Sequence, residues 1–320
     1  MIETKTISRQ DRILGGLWGS LTGDALGVPV EFMCRAAVQA NPVTDMRGFG
    51  THHQPKGTWS DDGALLLCSV DSLVNHEFDT QDMGNRFLRW MDEGLWTATG
   101  EVFDIGNTTS RALSMIAMGT PAEEAGGRDD FSNGNGSLMR IIPVAVRFAD
   151  TPPGSFMDRV ERSSAITHGH ARARMACAFF ALMIGKLLRG LKPQAALDGA
   201  RPEFAAAYES SPEFAHFRPL LEDDFTSLPG EKIKSTGYVL HTLHASLWCL
   251  LTTNSFRDCV LKAVNLGGDT DTTGCVAGGL AGIAYGKHSL PPDWVEALPR
   301  KMEVESLFER FATVCQHDFP

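Results

Sequence analysis

Three short acidic motifs offer chemistry in this chain of 320 residues. The first, Gly23-Asp24-Ala25-Leu26-Gly27-Val28-Pro29-Val30-Glu31, sets Glu31 just beyond an apolar helical run. The second is Thr58-Trp59-Ser60-Asp61-Asp62-Gly63, and the third is Gly267-Gly268-Asp269-Thr270-Asp271-Thr272-Thr273; each precedes such a run. A helix start accepts one capping oxygen and favours nearby acids, so Ser60 or Asp61, and Thr270 or Asp271, suit ordinary capping. Each motif, however, holds more oxygens than one cap needs. Adjacent carboxylates repel unless a cation compensates. Asp61 and Asp62 at a helix start diverge by about a hundred degrees and can hold neighbouring ions. Asp269 and Asp271, read as an extended turn, point to one side. Hydroxyl and carboxylate oxygens without His or Cys suit hard cations such as Mg²⁺ or Mn²⁺ rather than zinc. Ser60, Asp61, Asp62, Asp269, Asp271 and Thr272 are about the right number for two ions, with double capping as the competing explanation.

The elements that must position these motifs are helical. Apolar residues recur at helix-like spacing over 11–27, 61–76, 84–97, 158–190, 236–253, 256–264, 272–286 and 304–316. Alternating strand patterns with hairpin turns are absent from the sequence. Long loops rich in Gly, Pro and Asn are expected over 35–59, 116–137, 150–155 and about 200–235. No linker separates two compositions, which predicts an all-α, single compact multi-helix domain over residues 1–320 with long functional loops. The 32 glycines include two stripes, Gly15, Gly19, Gly23, Gly27 and Gly274, Gly278, Gly282, Gly286. An i, i+4 row lies along one helix face. Such a row lets a second backbone approach closely, so each stripe predicts a buried helix in tight contact with a neighbour.

Composition narrows the function. With 29 Lys+Arg against 39 Asp+Glu, the formal net charge is −10, which argues against a general nucleic-acid binder. A metal or a local Arg can still reverse the sign at one anionic ligand. No uncharged apolar run reaches membrane-spanning length, and the opening MIETKTISRQDR has no secretory apolar segment. The seven cysteines are odd in number and contain no CxxC, which fits buried free thiols and a cytoplasmic location.

In order along nearly the whole chain stand DRILGGLWGSLTGDALGVPVEFM, GTWSDD, FDIGNTT, GNGSLMR, ITHGH, STGYVLHTL and FRDCVLKAVNLGGDTDTTGCVAGGLAGIAYG. This series resembles the ADP-ribosylglycohydrolase family, most nearly its dinitrogenase reductase-activating branch. The resemblance implies an all-α fold, a binuclear Mg²⁺/Mn²⁺ site and hydrolysis of the glycosidic bond joining ADP-ribose to a modified side chain. It makes Ser60, Asp61, Asp62, Asp269, Asp271 and Thr272 metal ligands, and Glu31 and Asp104 the catalytic acids. Asn107, Gly134, Asn135, Gly136, Ser137, Met139, His168, Tyr238 and Gly268 become substrate-binding positions, the GNGS loop cradling pyrophosphate through its N–H groups. Two departures are mild: Ser60 stands where Thr is common, and Gly63 where Thr often follows the Asp pair. The implied partner is an ADP-ribose moiety on a modified protein, arginine-linked by preference; serine or a small conjugate, a non-catalytic ADP-ribose binder and a metal-dependent phosphohydrolase are the alternatives.

Other candidates carry less. His168 and His170 lack a nearby third metal ligand, so a role in orienting ligand or loop is preferred. His52-His53 reads as a solvated loop, and Trp59 as core. Arg140 would neutralise a phosphate or pair with an acid. His317-Asp318 lacks upstream partners for an HD-type phosphohydrolase, and Asp61-Asp62 has no third Asp for a prenyl-diphosphate motif.

Overall fold

The structure is a computed structural model and describes residues 7–222 and 224–317. Among these residues it holds sixteen α-helices, six short 3-10 turns and no strand beyond isolated bridges. The first half runs α1 (Arg9–Gly27), α2 (Arg35–Ala40), α3 (Asp61–Asn75), α4 (Thr80–Glu93), α5 (Asn107–Ala117), α6 (Ala122–Ala125), α7 (Ile142–Phe148) and α8 (Pro153–Ala165). The second runs α9 (Ala171–Leu188), α10 (Pro193–Tyr208), α11 (Arg218–Leu221), α12 (Val239–Leu251), α13 (Phe256–Val264), α14 (Thr270–Tyr285), α15 (Pro292–Glu296) and α16 (Lys301–His317). Asp318 of the His317-Asp318 pair lies outside the described residues.

At the centre α1 and α14 lie antiparallel, backbone against backbone. Gly15 meets Gly282, Gly19 meets Gly278, Gly23 meets Gly274, and Gly27 meets Asp271. A Cβ built on Gly19 would fall 2.3 Å from the Gly278 carbonyl oxygen, and one on Gly23 would fall 2.0 Å from that of Gly274. Only glycine fits such an approach. Every α1 residue from Ile13 to Gly27 is buried, as expected of a helix with neighbours all round. The polar residues within α1 are served locally: Ser20 and Thr22 donate to the carbonyls of Gly16 and Trp18. Helices α12 and α13 pack on α14, α3 packs on α4 and α16, and α9 gathers α7, α8 and α10.

The antiparallel sense carries the C-terminal end of α1 to the N-terminal end of α14. There Thr270 Oγ1 donates to the Gly27 carbonyl at 2.8 Å. Phe32 N–H donates to the Gly268 carbonyl and Gly268 N–H to the Met33 carbonyl, at 2.7 and 2.8 Å. Asp24, buried in α1, accepts from Ser60 N–H at 3.0 Å and Gly63 N–H at 2.8 Å, so a carboxylate of α1 caps α3. All three acidic motifs are thereby tied to one end of the α1–α14 pair.

The all-α expectation holds, with corrections to its parts. The run 158–190 is two helices, because the chain turns at Ile166–His170 and His170 caps α9 by accepting from Arg172 N–H. Helix α4 starts at Thr80 and stops at Glu93, where Gly94 takes the left-handed conformation at φ 72°. The expected loops contain α2, α6, α10 and α11, and α10 continues past Pro202. Helix α5 was not anticipated, although Thr109, Ala112, Leu113 and Ile116 form its buried stripe. Helix α7, opened by Pro143, was also unanticipated. Asp269 and Asp271 are not an extended turn; Asp269 precedes the first helical residue and Asp271 lies in the first turn of α14.

Gly19→Ala is expected to destabilise the protein by about 3 kcal/mol, the upper range for overpacking, because backbone rather than a mobile side chain blocks the new methyl. Gly185→Ala in α9, where a Cβ meets nothing nearer than 3.9 Å, is expected to be neutral or to gain up to about 1 kcal/mol of helix propensity. Urea unfolding of both variants checks the pair; equal effects would remove the close-approach explanation.

Candidate functional site

Where the ends of α1, α3 and α14 meet, a cavity of about 240 Å³ opens. The acids Glu31, Asp61, Asp62, Asp104 and Asp269 line it together with Thr272. Asn107, Gly134, Asn135, Gly136, Met139 and His168 also line it. Ser60 and Asp271 are buried behind this surface. Ser60 is the N-cap of α3 and its Oγ accepts from Asp62 N–H. Asp62 Oδ2 also accepts from Thr272 Oγ1 at 3.2 Å, which joins the second and third motifs directly.

Three predicted binding positions fall outside the cavity lining. Ser137 is fully buried, and its hydroxyl meets Ser164 and Cys177 instead. Gly268, at φ 76°, positions backbone: a Cβ there would lie 2.2 Å from the Ser235 carbonyl oxygen. Tyr238 precedes α12 with its hydroxyl accepting from Arg172 at 3.3 Å, while its neighbour Gly237 reaches the cavity. Within the GNGS loop, Asn135 N–H donates to the Gly237 carbonyl and so is not offered to a ligand. Asn135 instead directs its side-chain amide to Asp269 Oδ2 at 2.9 Å and Thr242 Oγ1 at 2.8 Å.

Sequence reasoning missed two side chains that the structure brings to this site. His52 is not solvated: its Nε2 lies 2.5 Å from Glu31 Oε2 and 3.9 Å from Asp104 Oδ1. Thr51 Oγ1 donates to the Glu31 carbonyl, so one loop holds both ends of that residue. No local pattern marks His52, since its partners come from elsewhere in the chain. Asp24 had a readable signal, an acid inside an otherwise apolar helix. Arg140 neither meets an acid nor lines the cavity; it is fully buried against Phe87, Ser163 and Thr167. Trp59 is core as expected, its Nε1 donating to the Trp96 carbonyl.

The electrostatics define what this cavity can hold. Burial, and then the neighbouring carboxylates, push Asp61, Asp62 and Asp271 well above the usual carboxylate range. Glu31 is raised by burial and by Asp271, Asp104, Asp269 and Asp62. Burial carries Asp24 to about 7 despite its backbone donors, and burial with the charge of Asp269 carries Asp104 to about 6. Among the described residues, Asp62 Oδ1, Asp269 Oδ1 and Asp271 Oδ2 are buried with no hydrogen-bond donor. Buried acceptors without donors are costly, and a hard cation satisfies several at once. Candidate ligand atoms of Glu31, Asp269 and Asp271 lie within 4.8 Å of one another, as do those of Glu31, His52 and Asp104. The residues therefore fit a metal, and Glu31 belongs to both groups.

Two lining residues other than glycine, Phe32 and Asp104, adopt positive φ, at 61° and 58°. Such conformations cost on the order of 1–3 kcal/mol each and persist where surrounding structure enforces them.

The family model of ADP-ribosylglycohydrolase matches residues 5–320. The chain belongs to the ADP-ribosylglycohydrolase family. It is 33% identical over 303 residues to the ADP-ribosylarginine hydrolase Tri1 of Pseudomonas putida (strain GB-1), covering 93% of this chain and 76% of that protein. It is 30% identical over 302 residues to the ADP-ribosyl-[dinitrogen reductase] glycohydrolase of Rhodospirillum rubrum, covering 93% and 94%. A solved ADP-ribosylglycohydrolase-related protein complex superposes with a TM-score of 0.81 at 34% identity, over 96% of this chain and 99% of that one. Family membership supports an ADP-ribosyl glycohydrolase enzyme for this chain.

The crowded acids of this glycohydrolase predict a pH signature. Asp24 and Asp104 have pKa values raised above those of the unfolded chain, so their stabilising contribution is complete below pH ~4 and lost as pH rises through 6 to 7. Metal-free protein is expected to lose stability across that window. Divalent cation binds the ionised acids and should flatten the loss, adding about 2.7 kcal/mol at a hundredfold excess over its Kd. Thermal unfolding from pH 4 to 8, in chelator and in Mn²⁺, measures both profiles; parallel curves would contradict the metal reading.

Proposed function

We propose that this protein removes ADP-ribose from ADP-ribosylated arginine on proteins, reversing mono-ADP-ribosylation in a metal-dependent reaction. The observation that carries the reading is Glu31, whose carboxylate closes one group with Asp269 and Asp271 and another with His52 and Asp104. Arginine is favoured by the name of the Pseudomonas putida relative, an ADP-ribosylarginine hydrolase, and by the acids at this end of the cavity, which suit a cationic guanidinium leaving group. Ser60, Asp61, Asp62, Asp269, Asp271 and Thr272 would hold two divalent cations, Mg²⁺ or Mn²⁺, whose chemistry when bound is to polarise ribose hydroxyls and offset charge.

The chain's own residues do the remaining work. Water adds to C1″ of the ribose as the bond from C1″ to the arginine nitrogen breaks, through an oxocarbenium-like state. Glu31 or Asp104 accepts the proton that the water loses, and the departing nitrogen receives a proton in turn. Asp104, held at its strained φ, faces this exchange beside His52. Asn135 holds Asp269 through its side-chain amide, and Asn107, Gly134, Gly136, Met139 and His168 contact the ADP-ribose. Ser137 and Tyr238 support the GNGS loop from outside the lining, and Gly268 sets the backbone that enters Asp269.

The net charge of −10 supports a partner other than nucleic acid. No helix among the described residues is long and apolar enough to cross a membrane. Six of the seven cysteines are buried free thiols, which supports the cytoplasmic reading.

Incubation with arginine-, serine- and other ADP-ribosylated peptides, followed by mass spectrometry, tests the linkage. Release from arginine that stops in chelator and in Asp269→Ala is the expected result. Cleavage of another linkage alone would redirect the substrate assignment, and tight ADP-ribose binding without turnover would make the protein a binder. Release of phosphate would instead indicate a phosphohydrolase. Glu31→Gln should lower kcat by about 10² to 10⁴, the range for losing a general acid or base. His52→Ala, which frees Glu31 without removing it, should cost about tenfold in kcat with KM little changed.

A further inference from the structure

Arg140, between the GNGS loop and α7, is fully buried, and no carboxylate pairs with it among the described residues. Its Nη2 donates to Thr167 Oγ1 at 2.9 Å and to the Ser163 carbonyl at 3.2 Å. The guanidinium lies 4.4 Å from the centre of the Phe87 ring. Its Nε and Nη1 have no partner among the described residues. A buried cation so sparsely satisfied is costly, and a Met of similar length would fill the space without that cost. The donor it directs at Thr167 is what a Met would lack.

Thr167 Oγ1 has two partners, Arg140 and, at 2.8 Å, His168 Nδ1. A guanidinium N–H can only donate. The hydroxyl therefore accepts from Arg140. Its second lone pair would also take an imidazole N–H, but its own proton would then have no acceptor among the described residues, whereas pointing that proton at His168 Nδ1 satisfies both groups and makes Nδ1 the acceptor. A neutral imidazole carries one N–H, which is left to Nε2. The ring is neutral because burial, reinforced by the charge of Arg140, lowers its pKa to about 3. His168 reaches the cavity, and the described residues give Nε2 no hydrogen-bond partner. Glycines keep that ring edge open: a Cβ on Gly136 would lie 2.8 Å from His168 Cε1, and one on Gly134 3.3 Å from Nε2.

We propose that Arg140, acting through Thr167, fixes His168 as the Nε2–H tautomer, so that it donates a hydrogen bond to an oxygen of the ADP-ribose and cannot ligate a metal. His168 is the binding group; Arg140 and Thr167 are positioning residues. The ligand assignment rests on the function proposed above, whereas the tautomer assignment does not. An Nε2–H suits phosphate or ribose oxygens, which accept. It also leaves the cations to the acids and hydroxyls of the second and third motifs.

The test uses the full chain labelled with ¹⁵N-histidine and read by long-range ¹H–¹⁵N correlation spectra, with ADP-ribose affinity measured by calorimetry. The wild type should show His168 protonated at Nε2 and bare at Nδ1. Thr167→Val, which keeps the shape and removes the hydroxyl, should release the tautomer preference. It should weaken ADP-ribose binding about tenfold, the value of one neutral hydrogen bond. Thr167→Ser should restore both. A wild-type His168 protonated at Nδ1 overturns the proposal without any variant, and therefore even if Thr167→Val fails to fold. Wild-type affinity in a folded Thr167→Val protein overturns the ligand contact. If the wild type does not bind ADP-ribose at all, the proposed function fails, and the spectra still decide the tautomer.

Discussion

The contact between α1 and α14 governs this molecule. Two helices with glycine at every fourth position approach until backbone touches backbone, closer than any Cβ would permit. Direction matters as much as distance. Because the pair is antiparallel, the segment leaving α1 and the segment entering α14 occupy the same place, so Glu31 and the Asp269–Thr272 turn become neighbours although more than two hundred residues separate them. Asp24, one turn inside α1, brings the start of α3 to the same point by accepting two of its N–H groups. Helix ends thus set most of the acidic groups, while loops and the start of α5 supply the rest of the lining.

That arrangement forces like charges together in a buried space. Seven acids, counting Asp24, crowd one end of the cavity, and the pKa directions record how strongly burial and mutual repulsion disfavour their ionised forms. The folded chain tolerates this because the large α1–α14 interface and the surrounding apolar helices outweigh it, and because a divalent cation would turn repulsion into coordination. Orphaned oxygens on Asp62, Asp269 and Asp271 are the local trace of that design. The rest of the lining follows a different logic. There the groups are neutral donors and small residues, with Asn135 reaching to Asp269 and His168 set by a buried Arg140. The acids suit cations and the remaining groups suit the oxygens of an anionic ligand.

Much of the fold was legible because its signals are local. Apolar spacing reveals α1, α3, α12, α13, α14 and α16 from sequence, and the glycine stripes announce close packing. The errors occur where a local signal was weak or overridden. The run 158–190 was read across a polar stretch, 167–174, where Gly169 and His170 precede a new helix. Helix α5 escaped notice because polar residues surround its four-residue buried stripe. Ser137 and Gly268 sit in the right motifs but support the cavity instead of lining it. His52 could not be found from its neighbours in sequence, since its role comes from Glu31 and Asp104.

By itself, the sequence determined the family resemblance, the helical class and the donor chemistry, because residue type and spacing along a helix are one-dimensional properties. It showed which oxygens were available and that hard cations would suit them. The tertiary structure decided which of those oxygens meet. It made Asp24 a cap for another helix, put His52 against Glu31, and aimed His168 through Arg140 and Thr167. These assignments depend on distances between atoms far apart in the chain, and only the packing of α1 against α14, with the loops folded around it, sets them.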